Sequence, residues 1–556
     1  MTTDTASVAA TGAHRRDRGR IDPLTATGKL MRLIGRRDRI LLPIWIVLFG
    51  LLPLLYASAT NSLYPTAESL REYYQSIVTN PSLQSTLGPV FAPNLGALTA
   101  WRAGILILFI GLASALTVIR HTRTEEDAGR RELIGATVVG RHAPLAAALA
   151  VTFLADLVLG AIMALGLIGY GLPATGSVAI GVSYALAGWM FGAIGGVAAQ
   201  LTEGAGAARG LALGALGAAY LLRAAGDAGG TDGSMSWLSW LSPIGWVQRV
   251  RPYAGEQWWV FALIVGLVIA GVWLAVVLQA RRDVGAGVFA ARLGPAQASP
   301  RLSTPLALAW RLQRGLLVGW VCGFAVIGLV TGGASRSVDS LVEDSPQLRD
   351  LLEKLAGTGS LQDLYIASTL GMMALAAGAY AIQATLRLRA EETGQRAEPI
   401  LATATGRAPW MASHLFFGAL GPALGLIALG LTTALAAGGD ADGLGHQIGR
   451  VLAGAVLQLP AVWVLAGIAA VLFGLLPRLA VPLAWTALGI CIFVTFLGPL
   501  LELNQGLLDI SPFTHIPKIP GGEFVPAPIG WLLVLVVALT VAGVAGFRRR
   551  DVVSGA

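Results

Sequence analysis

Apolar residues run along the chain in stretches of about twenty, separated by short polar segments. Such runs fall near 40–58, 100–120, 143–169, 177–201, 207–225 and 258–280, and again near 315–333, 367–386, 411–437, 448–474, 480–501 and 529–547. About twenty apolar residues in a helix cross the hydrocarbon core of a bilayer. A helix satisfies each backbone N–H and C=O within its own segment, which lipid cannot do. Membrane strands are shorter and apolar only at alternate positions. The pattern therefore predicts an all-α polytopic membrane protein with about 12 transmembrane helices.

The polar segments set the orientation. With the N-terminus inside, 29 of the 39 Lys and Arg residues fall in segments on the inner side. Cytoplasmic loops carry this excess, so both termini are expected in the cytoplasm and the protein in the bacterial inner (plasma) membrane. Residues 1–39 are too long and too charged for a cleavable leader, so the first run is expected to remain as an anchor.

The loop after the second run contains Arg123, Glu125-Glu126, Arg130, Glu132, Ile134, Ala136-Thr137 and Gly140-Arg141. The loop after the eighth contains Arg389, Glu391-Glu392, Arg396, Glu398, Ile400, Ala402-Thr403 and Gly406-Arg407 in the same register. Leu241-Ser242-Pro243 matches Ile510-Ser511-Pro512, and Arg281-Arg282-Asp283-Val284 matches Arg549-Arg550-Asp551-Val552. Arg39, Leu41, Leu42 and Trp45 match Arg314, Leu316, Leu317 and Trp320. Landmarks recurring in one order mark two tandem copies of six spans each. An even span number makes the copies parallel in the membrane. The expected organisation is a disordered tail at 1–22, a first half at 23–280, a linker at 281–305 and a second half at 306–556.

Each half opens on a basic, amphipathic stretch, Leu30 to Arg37 and Leu308 to Arg314, of the kind that lies flat in the headgroup layer. Outside, Ser345-Pro346 reads as an N-capped helix start. Five Trp residues between 234 and 259 favour a membrane interface for that loop.

Composition agrees with lipid as the solvent: 55% of residues are hydrophobic and 13% charged, against about 25% charged in soluble chains. The net charge of +8 follows from the inner loops, and no nucleic-acid motif accompanies it, so nucleic acid is not an expected partner. Cys322 and Cys491 lie within apolar runs and read as small buried hydrophobes. The six His residues show no metal spacing and no nucleophile–base set is visible, so an enzyme is not expected.

The repeated loop carries the functional signal. Read as helix, it places Glu126 opposite Arg130 and Glu392 opposite Arg396, four residues apart. Leu133 and Ile134 add an apolar face, and Gly140-Arg141 turns the chain back into the membrane. A charged amphipathic helix, once per half, suits docking into a groove on a cytosolic partner. Pro399 stands where the first copy has Leu133 and is expected to shorten or kink the second helix.

This pattern of acids, Gly, Arg-x-Glu and a closing Gly-Arg resembles the first cytoplasmic loop of type-2 ATP-binding-cassette (ABC) permeases. The fused two-half layout resembles the permease of actinobacterial polyketide-antibiotic exporters of the tetronasin type. The resemblance implies that Arg123, Glu125, Glu126, Arg130, Glu132 and Arg141, with Arg389, Glu391, Glu392, Arg396, Glu398 and Arg407, form ATPase-coupling loops. It implies two copies of a cytosolic ABC ATPase subunit as partners, and an amphipathic drug, polyketide-like antibiotic or lipophilic compound as cargo. The only Gly-Lys pair, Gly28-Lys29, is followed by Leu30 and has Pro23 at the first-glycine position, so it is no phosphate loop. ATP and magnesium are thus expected on the separate subunit, and no cofactor on this chain.

Spans two, five, eight and eleven line the translocation path in that family. This makes Phe109, Met372, Met373, Phe493 and Phe496 candidate path residues, and the Gly-rich fifth run (Gly210, Gly214, Gly217) a candidate for close helix approach or, equally, for a sliding surface. The rival reading is a proton-coupled twelve-span secondary antiporter. Asp127-Ala128-Gly129-Arg130-Arg131 approaches its signature with the wrong spacing, and only Asp156 and His414 are mid-span ionisable candidates.

Overall fold

The computed structural model describes residues 22–228, 233–289, 296–297, 299–335, 360–438, 443–497, 504–520 and 524–552. Every regular element among the described residues is a helix. Eleven are long and apolar enough to cross a membrane, and a shorter apolar one joins them at Ala480–Thr495.

The chain divides into two compact units, Met1–Leu293 and Gly294–Ala556. In the first, spans 1 to 6 are Leu41–Leu63, Leu106–His121, Ala143–Gly169, Ala174–Leu201, Ala205–Asp227 and Val260–Ala280. In the second, spans 7 to 9 are Pro305–Ser335, Leu361–Thr385 and Arg407–Ala437. Span 10 is the pair Leu444–Leu457 and Leu459–Leu475, span 11 is Ala480–Leu497 and span 12 is Pro526–Arg549.

The helices depart in detail from the hydropathy pattern. Span 10 is interrupted at Gln458, because Pro460 has no N–H for the carbonyl one turn back and its ring crowds that turn. Span 7 absorbs the basic stretch before it into one helix of 31 residues. In the first unit the matching stretch stays a separate helix, Thr27–Arg37, ended at Asp38. There the buried Asp38 carboxylate receives His121 Nε2 at 2.5 Å and Arg120 at 3.1 Å, whereas Gln313 of span 7 bonds His414 within a continuing helix. The helix start expected at Ser345 lies outside the described residues, as does the tail before residue 22.

Each unit packs around its fourth span. Trp189 of span 4 donates to the Phe153 carbonyl of span 3 at 2.9 Å, and Trp463 of span 10 donates to the Ala419 carbonyl of span 9 at 3.1 Å. The same indole ties the same pair of helices in both copies. Lipid gives little hydrophobic drive between helices, so close backbone approach matters. Gly160 and Gly181 supply it between spans 3 and 4: a Cβ on either would overlap the other's carbonyl oxygen. Gly474 and Gly543 serve spans 10 and 12 in a related way: a Cβ on Gly474 would overlap the Gly543 carbonyl oxygen, and one on Gly543 the Ala470 carbonyl. The expected close approach at Gly210, Gly214 and Gly217 is not made within the first unit: among the described residues no atom comes within 4 Å of a Cβ built there. Cys491 is buried, but Cys322 is exposed, since it lies on the outer face of span 7.

The Trp-rich segment folds into two short helices, Trp237–Leu241 and Pro243–Arg249. The Ser242 side chain caps the second and also donates to the Ala219 carbonyl of span 5 at 2.6 Å.

Candidate functional site

The loops after spans 2 and 8 are each built as two short helices meeting at a bend. In the first they are Arg123–Asp127 and Arg130–Gly135, with Gly129 at φ 69° between them. In the second they are Arg387–Thr393 and Ala397–Leu401, with Gln395 at φ 56°. The second member is one residue shorter in the second loop, where Pro399 falls.

This bend corrects the ion pairing read from a continuous helix. Arg130 does not face Glu126; its Nε and Nη2 donate to Glu125 at 2.7 and 2.9 Å. Arg396 likewise donates to Glu391, at 2.7 and 3.3 Å, and not to Glu392. A left-handed residue between the two short helices destroys the four-residue spacing that a single helix would give. Glu125 also receives Arg37 of the Thr27–Arg37 helix at 2.5 Å, and Glu391 receives Arg387 at 2.8 Å. The carboxylate beside Arg130 and that beside Arg396 hold both guanidinium groups above their ordinary pKa.

Glu126 and Glu392 turn inward instead. Glu126 is buried and accepts Arg123 Nη1 at 2.7 Å, Arg131, and both Nη atoms of Arg282 at 2.8 and 2.9 Å. Glu392 is buried and accepts Arg550 at 2.6 and 2.9 Å, with Arg389 at 3.3 Å. Arg282 and Arg550 lie just beyond the ends of spans 6 and 12, more than 150 residues away in sequence. The forked guanidinium on a carboxylate fixes orientation as well as charge. Burial lowers the pKa of Arg282 and, with the Arg282 charge close by, brings Arg131 down to about 10, still charged at neutral pH.

The two copies support the fork differently. In the first, Arg282 Nε donates to Gln200 Oε1 at 2.8 Å, and fully buried Arg123 also donates to the carbonyls of Glu203, Gly285 and Ala286. In the second, the Arg550 guanidinium lies over the rings of Phe473 and Phe547, 4.9 and 5.1 Å from their centroids.

The far leg of each loop reaches the same place. Arg141 donates to the carbonyls of Gln279, Ala280 and Arg282 at 3.1, 2.9 and 3.3 Å. Arg407 donates to those of Phe547, Arg548 and Arg550 at 3.5, 3.3 and 2.5 Å. The last carbonyls of a helix have no partner within it, and these arginines supply one. Between the legs the tip stays free: Leu133 is 75% exposed and Val138 67%. Glu132 and Glu398 are exposed as well.

Arg282 and Arg550 were absent from the sequence-based candidates. Their signal was the recurring Arg-Arg-Asp-Val at the two span ends, which marked the repeat without showing what it binds. Of the path candidates, Phe109, Met372 and Phe493 are exposed on their own units and Met373 packs into the core of the second. The side chain of Phe496 lies outside the described residues. Asp156 is buried and accepts Ser114 Oγ at 2.7 Å, and His414 Nδ1 pairs with Gln313 Nε2 at 3.1 Å, so both mid-span groups have local partners.

Residues 302–548 match the family model of the C-terminal domain of the multidrug efflux system permease Rv1217c. The multidrug efflux system permease protein Rv1217c of Mycobacterium tuberculosis is 42% identical over 529 residues, covering 95% of each chain. With spans, repeat and duplicated loops in place, a match of that extent assigns the family: the chain belongs to the multidrug efflux system permeases typified by Rv1217c.

Proposed function

We propose that the chain is the membrane-spanning permease of an ATP-driven exporter, with ATP and magnesium held by two copies of a separate ABC-type ATPase subunit. The observation that carries this reading is the duplicated loop. Each copy is anchored by buried ion pairs and presents an exposed acidic side chain beyond them, Glu132 beside exposed Leu133 in one and Glu398 in the other. Exposed tips on rigid supports are suited to a partner's groove, and two of them suit two copies of one partner. The relative's printed name supports efflux of drugs as the task. The resemblance of the loops to type-2 ABC permeases supports ATP as the driver.

In this reading the protein lies in the bacterial inner membrane with both termini and both loops in the cytoplasm. The inner-side excess of Arg supports that orientation. The cargo is an amphipathic drug, polyketide-like antibiotic or lipophilic compound, passing along spans 2, 5, 8 and 11, where the exposed side chains of Phe109, Met372 and Phe493 offer adaptable apolar contacts. Proton coupling is the weaker reading, since Asp156 and His414 are both engaged locally.

The test is co-purification with the nucleotide-binding subunit of the same efflux system. Leu133→Asp combined with Glu398→Lys is expected to weaken retention of that subunit about tenfold, the equivalent of about 1.4 kcal/mol. Both side chains are exposed, so the melting temperature of the permease should not change. Full retention by the double variant would remove the tips from the interface.

A further inference from the structure

We infer that Arg282 and Arg550 are positioning residues that lock the last span of each unit to its loop, so that movement of the tip is delivered to spans 6 and 12. The inference rests on the reading of these loops as ATPase-coupling levers and adds the route by which their motion enters the membrane.

The geometry gives each loop two attachments to one short target. Ahead of the tip, Glu126 holds the Arg282 guanidinium through two hydrogen bonds of 2.8 and 2.9 Å. Behind it, Arg141 holds the carbonyls of residues 279, 280 and 282. The second unit repeats both attachments: Glu392 holds Arg550 at 2.6 and 2.9 Å, and Arg407 holds the carbonyls of 547, 548 and 550. A tip held on both legs by the end of one helix cannot be displaced without carrying that end along. Spans 6 and 12 pack on spans 4 and 10 in turn: Gly271 lies against Ala193 and Gly467 against Leu539. The force thereby reaches the most enclosed helix of each unit.

The supports around the fork differ between the copies, Gln200 in one and an aromatic pair in the other, while the fork itself is the same. A role in packing alone would leave the fork as free to vary as its surroundings. Its chemistry also makes it separable by experiment. Lysine keeps the charge that Glu126 and Glu392 require but presents a single rotating ammonium in place of the planar fork. Arg282→Lys with Arg550→Lys should therefore give a folded permease with a slack joint.

The experiment uses the permease with its nucleotide-binding subunit in proteoliposomes, with rhodamine 6G as the transported probe, and reads rhodamine moved per ATP hydrolysed. The Lys pair is expected to retain the subunit and to hydrolyse ATP, while the transport-to-hydrolysis ratio falls about tenfold, within the range of inter-site coupling energies. Arg282→Gln with Arg550→Gln should lower it further. An unchanged ratio in the Lys pair overturns the inference, whether transport and hydrolysis stay at wild-type level or decline together, because a merely structural role moves both equally. If the wild-type permease retains no nucleotide-binding subunit, the coupling reading itself fails and takes the lock with it; that result is separate, being read before any variant is compared.

Discussion

Replacing Glu126 with glutamine is expected to loosen the loop at 123–141 by about 3–5 kcal/mol, the cost of removing one partner from a buried ion pair. The carboxylate lies among the guanidinium groups of Arg123, Arg131 and Arg282, and Arg123 is fully buried. Glutamine can accept a hydrogen bond but cannot neutralise the cations that remain, of which Arg123 and Arg282 are enclosed while Arg131 keeps 15% of its side chain exposed. Glu392→Gln should act in the same way through Arg389 and Arg550. Hydrogen exchange provides the measurement. Amides of 123–141 in the first variant, and of 389–407 in the second, should exchange at least a hundredfold faster, in line with about 3 kcal/mol or more. Amides in spans 3, 4, 9 and 10 should stay protected. Because these acids are interior, their removal acts on the loop's anchorage and leaves the exposed side chains of Glu132 and Glu398 untouched.

The second large effect is in the first unit's core. Gly181→Leu forces a side chain into the place where span 3 presents the Gly160 carbonyl, and backbone on both sides leaves no flexible neighbour to give way. Overpacking of a well-filled core costs about 1–3 kcal/mol and occasionally more; a clash with backbone puts this variant at the upper end. Gly210→Leu is the matched control, a longer side chain on span 5 where no described atom lies within 4 Å of the new Cβ. Thermal unfolding in detergent should show a clear drop for Gly181→Leu and little change for Gly210→Leu. Equal melting of the two would mean that spans 3 and 4 are not held by that glycine contact.

Hydrophobic periodicity made the spans legible because lipid imposes a length and forbids free backbone groups. The run read at 143–169 is the helix Ala143–Gly169. It could not report what depends on neighbours. Gln313 continues a helix that Asp38 ends, and the difference lies in whether the side chain finds His121 and Arg120 beside it.

At the candidate site the repeat marks two loops that do fold alike, but a single continuous helix gives the wrong ion-pair partners. Gly129 carried a visible hint of a bend; Gln395 takes a positive φ with nothing in its residue type to announce it. The pairing of Glu126 with Arg282 and of Glu392 with Arg550 spans 156 and 158 residues, beyond the reach of any local pattern. Recurrence in both copies makes it recognisable as one device.

In the proposed function, nucleotide hydrolysed on another subunit drives this permease through its two loops. The most direct measurement is rhodamine 6G transport by the purified chain in proteoliposomes, with and without its nucleotide-binding subunit, under ATP or under an imposed proton gradient. Transport is expected only when both the subunit and ATP are present. Transport by the chain alone, driven by the proton gradient without ATP, would contradict it.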